Sequence, residues 1–298
     1  SWPMMGIGYI INLTQKGQVA MGRIQQIFSS KSDVADNEKT DQSIKVFKGE
    51  IEFRKLNFIY PNTNKPSLQN IDLKIPSGQI LAVVGVIGSG KSTLAQLIPR
   101  LYEVTENTLL IGGHPIHKIP LSILRKNIGY VDQEPYLFSA TIRENIIFGN
   151  SEASKDDVND VVKKSGLLAD LNRFPKGLET VVGERGISLS GGQIQRIAIA
   201  RALLIKPNIL VLDDAFSSLD AETEDNILSS IRDFTTGATT VMVSHRLSAV
   251  CKADRIIVIN NGRIIEDGTH SELIRLNGEY AQTYKNQSLA MEMEITLQ

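Results

Sequence analysis

Residues 85–93 read Gly-Val-Ile-Gly-Ser-Gly-Lys-Ser-Thr, with Gly85 and Gly90 bracketing four residues ahead of Lys91 and Ser92. No other feature constrains the fold as tightly, because this pattern works only between a strand and a helix. The flanks agree. Ile80-Leu81-Ala82-Val83-Val84 reads as a buried strand, and Leu94, Leu97, Ile98 and Leu101 recur at helical spacing over residues 93–101. Gly85, Gly88 and Gly90 let the backbone turn tightly and bring its N–H groups close to phosphate oxygens. The helix start adds the positive end of a dipole. Lys91 supplies a point charge for β- and γ-phosphates, and the Ser92 hydroxyl a ligand for Mg²⁺. The segment can therefore hold a nucleoside triphosphate. Pro99 is expected to end or kink the helix where it lies.

A second anion-ready helix start follows at Leu189-Ser190-Gly191-Gly192-Gln193. Ser190 is a good N-cap, the glycines permit close backbone approach, and Ile194, Ile197 and Ala198 begin an apolar helical pattern. The run Ile209-Leu210-Val211-Leu212-Asp213-Asp214 then reads as a buried strand ending in two carboxylates, the form of strand that orders a Mg²⁺ shell beside a phosphate loop.

Further strands are expected at 128–131, 240–243 and 255–259, and helices at 194–204 and 223–232. Alternation of strand and helix argues for an α/β core with a mainly parallel sheet. At 298 residues, the chain can bury a sizeable core in one large domain or two. The net charge of −1 gives no basic footprint for nucleic acid. Cys251 is the only cysteine, which excludes an internal disulfide or a cysteine-cluster zinc site and fits a reducing compartment.

The N-terminus differs. Trp2 to Leu13 is mostly apolar but falls short of the roughly 20 residues a membrane helix needs, and no Lys or Arg precedes it as in a signal peptide. Ile7, Ile10, Ile11, Met21, Ile24, Ile27 and Phe28 keep helical spacing. On the residues alone, this is either an amphipathic helix packed on the domain or the cytosolic end of a longer membrane helix. Residues 31–45 are polar and read as a linker, with a new domain opening near Val46.

Taken in order, these segments resemble the nucleotide-binding domain of an ATP-binding cassette (ABC) transporter of the exporter type, over residues 46–288. The resemblance implies a phosphate-loop NTPase core with a mainly parallel sheet, an antiparallel β subdomain, and an α-helical subdomain carrying the signature motif. Tyr60, in Phe58-Ile59-Tyr60-Pro61, matches the aromatic that stacks on adenine. Gly85, Gly88, Ser89, Gly90, Lys91, Ser92 and Thr93 match the Walker A loop. Gln133 matches the Q-loop glutamine, which touches Mg²⁺ and faces the membrane domain. Ser190, Gly191, Gly192 and Gln193 match the signature, Asp213 the Walker B aspartate, Asp220 the D-loop and His245 the switch histidine. Val182-Gly183-Glu184-Arg185-Gly186 and the stretch 137–146 are also exporter-like.

What the resemblance implies can be stated residue by residue. ATP and Mg²⁺ are the expected cofactors, with Ser92, Gln133 and Asp213 on the metal. Lys91, Gln133, Asp214 and His245 are the expected catalytic group. In the family, two domains pack head to tail, so that Ser190 and Gly192 serve the partner's nucleotide. The expected partners are a second exporter half and this chain's own transmembrane domain, with no nucleic acid. The expected location is the cytoplasmic face of a membrane. Residues 1–30 are then the end of a last membrane helix and its extension, 31–45 the linker, and 289–298 a tail.

One departure from the family pattern matters. Asp214 stands where fully active members carry Glu, one methylene longer. A shift of about 1 Å near reacting atoms costs about a hundredfold in rate. A slow site fits one half of a heterodimeric exporter; the competing reading is a homodimer in which Asp214 works slowly or through a water. Asn107 and Gly112 replace the family's usual Gly and Asp, with only local strand-turn effects expected. Chromosome-maintenance ATPases share these motifs but insert long coiled coils between them. Here Lys91 and Ser190 stand 99 positions apart with no heptad run. The ATPase subunit of a solute importer is the remaining alternative.

Overall fold

The computed structural model describes residues 2–29, 32–183, 187–234 and 237–296. The chain divides into a unit of residues 1–35 and a unit of residues 36–298. The first is one helix, α1 (Trp2–Ser29), so the apolar positions from Ile7 to Phe28 do share a single helix. Among the described residues, no helix is long and apolar enough to cross a membrane.

In chain order, the second unit contains β1 (Ile51–Ile59), β2 (Pro66–Ile75), β3 (Ile80–Val84), α2 (Lys91–Leu97), β4 (Leu109–Ile111), β5 (His114–Pro115), α3 (Leu121–Lys126) and β6 (Ile128–Val131). Then come α4 (Ile142–Ile147), α5 (Lys155–Lys164), α6 (Leu168–Leu171), α7 (Gly191–Leu204), β7 (Ile209–Asp213) and α8 (Ala221–Phe234). The last elements are β8 (Thr239–Val243), α9 (Leu247–Val250), β9 (Arg255–Asn260), β10 (Arg263–Gly268), α10 (His270–Leu276) and α11 (Glu279–Thr296).

Two sheets result. One is antiparallel, in the order β2-β1-β4-β5; the other has the order β10-β9-β3-β8-β7-β6. In the second sheet β9, β3, β8, β7 and β6 are all parallel, and only β10 runs against its neighbour. The period of two sorts the side chains of the central strands between two cores. Ala82, Leu210, Leu212, Met242, Ile256 and Val258 face one core with α4, α5 and α7. Leu81, Val83, Ile209, Val211, Val241, Val243 and Ile257 face the other, filled by α2 and the antiparallel sheet. Strands covered on both faces are apolar at most positions, which is why they read as near-continuous runs in the sequence.

The boundaries of some elements differ from expectation. Helix α2 starts at Lys91 and stops at Leu97, before Pro99, and Arg100 reverses the chain at φ 52°. Leu101 is therefore off the helix and 42% exposed rather than on its apolar face. Part of the expected linker is docked: Asp36 Oδ1 accepts from the Leu121 N–H at the start of α3 (2.9 Å), and Ile44 is buried. Residues 289–296 continue α11 without a break. Asn107 and Gly112 have φ of 63° and 56°, so both sit in left-handed turns flanking β4 that these residue types adopt readily. Val182 and Gly183 of the exporter-like segment are described, but Glu184, Arg185 and Gly186 lie outside the described residues.

Candidate active site

The strand order decides the site. β3, β8, β7 and β6 are consecutive, parallel neighbours. Their C-terminal ends therefore open onto one edge, where open α/β sheets bind ligands. The phosphate loop leaves β3, His245 follows β8, Asp213 and Asp214 end β7, and Gln133 lies two residues past β6. Four segments spread over 160 positions of sequence meet along one rim.

The loop is braced from below. A Cβ at Gly85 (φ 147°) would lie 2.1 Å from the Ile259 carbonyl oxygen, and one at Gly90 (φ 108°) 2.6 Å from that of Ser67. Gly262 N–H also donates to Ser89 O at 2.9 Å, so β2 and the β9–β10 turn hold the loop. At Gly88 (φ 77°), by contrast, an added Cβ would meet nothing within 4 Å, which leaves that stretch of backbone open to a ligand. Helix α2 begins at Gly90 with no side-chain cap, so its first amide hydrogens are not consumed by the chain's own side chains.

Lys91 is buried, and its Nζ donates to the carbonyls of Gly85 (3.0 Å) and Val86 (2.8 Å). Burial pulls its ammonium below the usual range, against the opposing pull of Asp213 and Asp214. Ser92 Oγ donates to Asp213 Oδ1 at 2.9 Å. Asp213 is 1% exposed, and its Oδ2 has no hydrogen-bond partner among the described residues. Burial pushes its carboxyl up to about 6, the Ser92 bond opposing. A hydroxyl beside a buried, half-satisfied carboxylate is an oxygen donor set that suits Mg²⁺, which keeps few protein ligands. Among the described residues, no cluster of three His, Cys, Asp or Glu side chains could hold a metal without such help.

The remaining expected residues are placed unevenly. Asp214 adopts φ 49° and its N–H donates to Val243 O (3.0 Å), tying the end of β7 to β8. His245 is lowered by burial first and by Lys91 next, with Asp214 opposing, so its imidazole is neutral at pH 7. The Tyr60 hydroxyl donates to Gln96 Oε1 (3.1 Å) and accepts from Thr93 Oγ1 (3.0 Å), and the ring packs edge-on against Phe58 and Tyr102. Gln133 reaches the rim, but its side chain is exposed and bonds neither Ser92 nor Asp213. Asp220 caps α8, its two oxygens accepting from Thr223 N–H and Oγ1, both at 2.8 Å.

Ser190 and Gln193 form a reciprocal capping box on α7: Gln193 N–H donates to Ser190 Oγ (3.3 Å) and Ser190 N–H to Gln193 Oε1 (3.0 Å). Gly191 and Gly192 are not in the left-handed region; they are small because Ser218 packs against both, its Oγ 2.9 Å from a Cβ added at Gly191 and its carbonyl oxygen 3.0 Å from one at Gly192, with Leu219 at 3.1 Å from the latter. This arrangement of phosphate loop, signature helix and acid-tipped strand is one that a sequence profile can test. The profile of the ABC transporter family matches residues 68–217.

The chain belongs to the ABC transporter family.

It is 43% identical over 97% of its length to the probable multidrug resistance ABC transporter ATP-binding/permease protein YheI of Bacillus subtilis, covering 49% of that protein. It is 39% identical over 93% of its length to the ATP-dependent lipid A-core flippase of Salmonella paratyphi A, covering 48% of it. Among solved structures, a bacterial Atm1-family ABC exporter with ATP bound matches 94% of the chain and 49% of its own, at TM-score 0.86 and 35% identity. The chain thus spans about half the length of the relatives it matches, and it carries the ATP-binding part of an ABC protein.

Three polar side chains of this ABC domain escaped the sequence reading. Asp170 bonds Gln193 Nε2 (3.2 Å) and pairs with Arg196 (2.7 Å), steadying the signature turn. Gln195 and Arg246 bind the segment after Asp214, as described below. Gln195 leaves a weak signal, a polar residue amid the apolar positions of α7; Arg246 leaves only its place beside His245.

Proposed function

We propose that this ABC domain binds and hydrolyses Mg·ATP and that it powers export of a substrate across a membrane. The observation that carries the reading is the shared rim: Lys91, Asp213, Asp214 and His245 at the C-terminal ends of three adjacent parallel strands. The importer alternative gains no support, since the relatives named above are an exporter, a flippase and a drug-resistance protein.

Among the described residues, the hydrogen-bond partners of Lys91 are neutral carbonyls, so an anionic triphosphate is its stronger acceptor. Backbone amides of residues 85–92 complete the cradle, and Tyr60 presents an aromatic surface for the base. Mg²⁺, when bound, neutralises charge on the β- and γ-phosphate oxygens. Ser92 and Asp213 would hold it, with Gln133 reaching in from the end of β6. Asp214 orients or deprotonates the attacking water. His245 steadies the γ-phosphate as a hydrogen-bonding group.

The signature helix supplies the other half. Its start is rigid and anion-ready, and within the chain it contacts residues 218 and 219 rather than the phosphate loop. That supports head-to-tail pairing, in which Ser190, Gly191, Gly192 and Gln193, with Asp220 beside them, close over the nucleotide of a second exporter half. Exposed Tyr136, Phe138 and Phe148 form an aromatic patch over Arg201 that suits docking of a transmembrane domain at the cytoplasmic face.

The short Asp214 side chain favours a slow site and a heterodimeric unit. Steady-state ATPase of the chain at saturating Mg·ATP and high concentration tests this. Lys91→Ala abolishes turnover, and Asp214→Glu raises it about ten- to a hundredfold. Unchanged hydrolysis and ATP affinity in Lys91→Ala would sink the ATPase reading. Robust wild-type turnover with no gain from Glu would favour a working homodimer.

A further inference from the structure

The segment after Asp214 is held from two sides by side chains that the ATPase chemistry does not itself require. From the β8 side, one guanidinium spans it. Arg246 Nη1 donates to the Leu219 carbonyl, and Nη2 donates to Ser217 O at 2.9 Å. The same Nη1 pairs with Glu224 Oε2 in the first turn of α8, at 3.2 Å. Glu224 is 1% exposed, so this carboxylate is out of water and Arg246 is its only ion-pair partner among the described residues. From the α7 side, Gln195 is also buried. Its Nε2 donates to Ser217 Oγ (2.8 Å), and its Oε1 accepts from Ser218 N–H (3.0 Å). Arg246 N–H in turn donates to Ser244 Oγ (3.0 Å), which fixes the turn that presents His245.

We infer that Arg246 is a positioning residue that couples the His245 turn to the signature helix through the backbone of residues 217–219. The geometry makes a continuous chain: His245 turn, Arg246 fork, backbone of 217–219, Gln195, α7. Glu224, Leu219 and Gln195 are buried while Ser217 and Ser218 lie at the surface, so the bonds tie an exposed turn to a buried carboxylate and a buried amide, and the links move together. A planar fork that bonds two carbonyls and a carboxylate fixes direction as well as distance, which a lysine in its place could not do. The pull of a γ-phosphate on His245 is thereby delivered to Ser190, whose helix cap abuts Ser218. The inference rests on the ATPase reading for its consequence, but the mechanical linkage can be read without it.

Spatial continuity alone is weak warrant for coupling, so the test measures the coupling directly. Hydrogen exchange of the full chain is compared for wild type, Arg246→Ala, Arg246→Lys and Gln195→Ala. Both Arg246 variants are expected to speed exchange at residues 216–223 and also at 190–196 across the Gln195 link, while residues 85–97 stay at wild-type rates. In parallel, kcat and ATP affinity are measured. Arg246→Lys, which keeps the charge beside Glu224 and so guards against simple misfolding, is expected to lower kcat about tenfold with ATP affinity within about twofold. The Arg246→Lys/Gln195→Ala double variant is expected to lose less than the product of the single losses. Wild-type exchange at 190–196 in both Arg246 variants overturns the linkage, and so does strict multiplicativity of the kcat losses. Turnover in wild type that is insensitive to Lys91→Ala would instead overturn the ATPase reading, and the exchange arm still decides the linkage.

Discussion

Two helix starts in this domain look alike in sequence and behave differently. Both α2 and α7 open on glycine and serine and point the positive end of a dipole outward. Helix α2 has no side-chain cap, and its preceding glycines occupy the left-handed region. It also has Lys91 and the half-satisfied Asp213 beside it. Helix α7 is closed by its own Ser190–Gln193 box, its glycines are helical, and Asp170 restrains its first turn. A glycine thus serves backbone conformation in one place and close packing in the other. One helix start is open beside a buried lysine and carboxylate; the other is a capped surface closed by its own side chains, and on the proposed head-to-tail reading it serves another chain's nucleotide.

The largest effect expected from this difference is in mixed dimers. Chains carrying Lys91→Ala lose their own site, whereas chains carrying Ser190→Arg are expected to lose the site on the opposite chain. Mixing the two should therefore leave one dead composite site and one intact one in each mixed dimer, with partial ATPase recovered from two samples each reduced more than about a hundredfold. No recovery in the mixture would place both motifs in a single site and break the comparison.

Glycine substitution separates conformation from packing. Gly85→Ala forces a Cβ onto the Ile259 carbonyl at a φ of 147°, and is expected to cost about 3–5 kcal/mol of stability in urea denaturation. Gly192→Ala keeps a helical backbone with its Cβ 3.0 Å from Ser218 O, and is expected to cost no more than about 1 kcal/mol. Equal losses would show that both glycines answer to the same constraint.

The charge beside α2 carries a pH signature that α7 lacks. Asp213 has a folded carboxyl near 6 against 3.8 unfolded. The folded state therefore binds the extra proton between these values, and its contribution to stability falls as pH rises from about 4 to about 6, then stays flat. Asp213→Asn is expected to stabilise the metal-free domain at pH 7.5 by about 1–3 kcal/mol. Below pH 6, Mg²⁺ must displace a proton, so the apparent Mg²⁺ affinity in the presence of ATP is expected to fall about tenfold per pH unit beyond the ATP contribution. A flat Mg²⁺ dependence between pH 5 and 7 in wild type would remove Asp213 from the metal site.

The smallest expected effect is the loss of the α7 cap. Ser190→Ala is expected to cost about 1 kcal/mol in thermal or urea unfolding while leaving ATP affinity of the isolated domain unchanged. A drop in affinity would mean that Ser190 already serves its own chain's nucleotide.

The phosphate loop was legible in nine contiguous residues because its determinants are local: a turn that needs glycine, a point charge and a hydroxyl. The strands were equally plain, since burial on both faces leaves no polar position in Ile209–Leu212. The Ser190 cap was readable for the same reason, its reciprocal partner lying three residues on. What the sequence could not show is anything that depends on strand order. Asp213, His245 and Gln133 converge only because β3, β8, β7 and β6 are neighbours. Asp220, which matches the D-loop, caps α8 within its own chain, because a side chain's nearest donor is settled by the turn it sits in. Arg246 and Gln195 carry no local signal of their role; only when β7, β8 and α7 are packed do their donors and acceptors reach the same three-residue segment, 217–219. The chemistry was therefore fixed by short-range identity and spacing, and its assembly into one rim, with the linkage behind it, by long-range pairing.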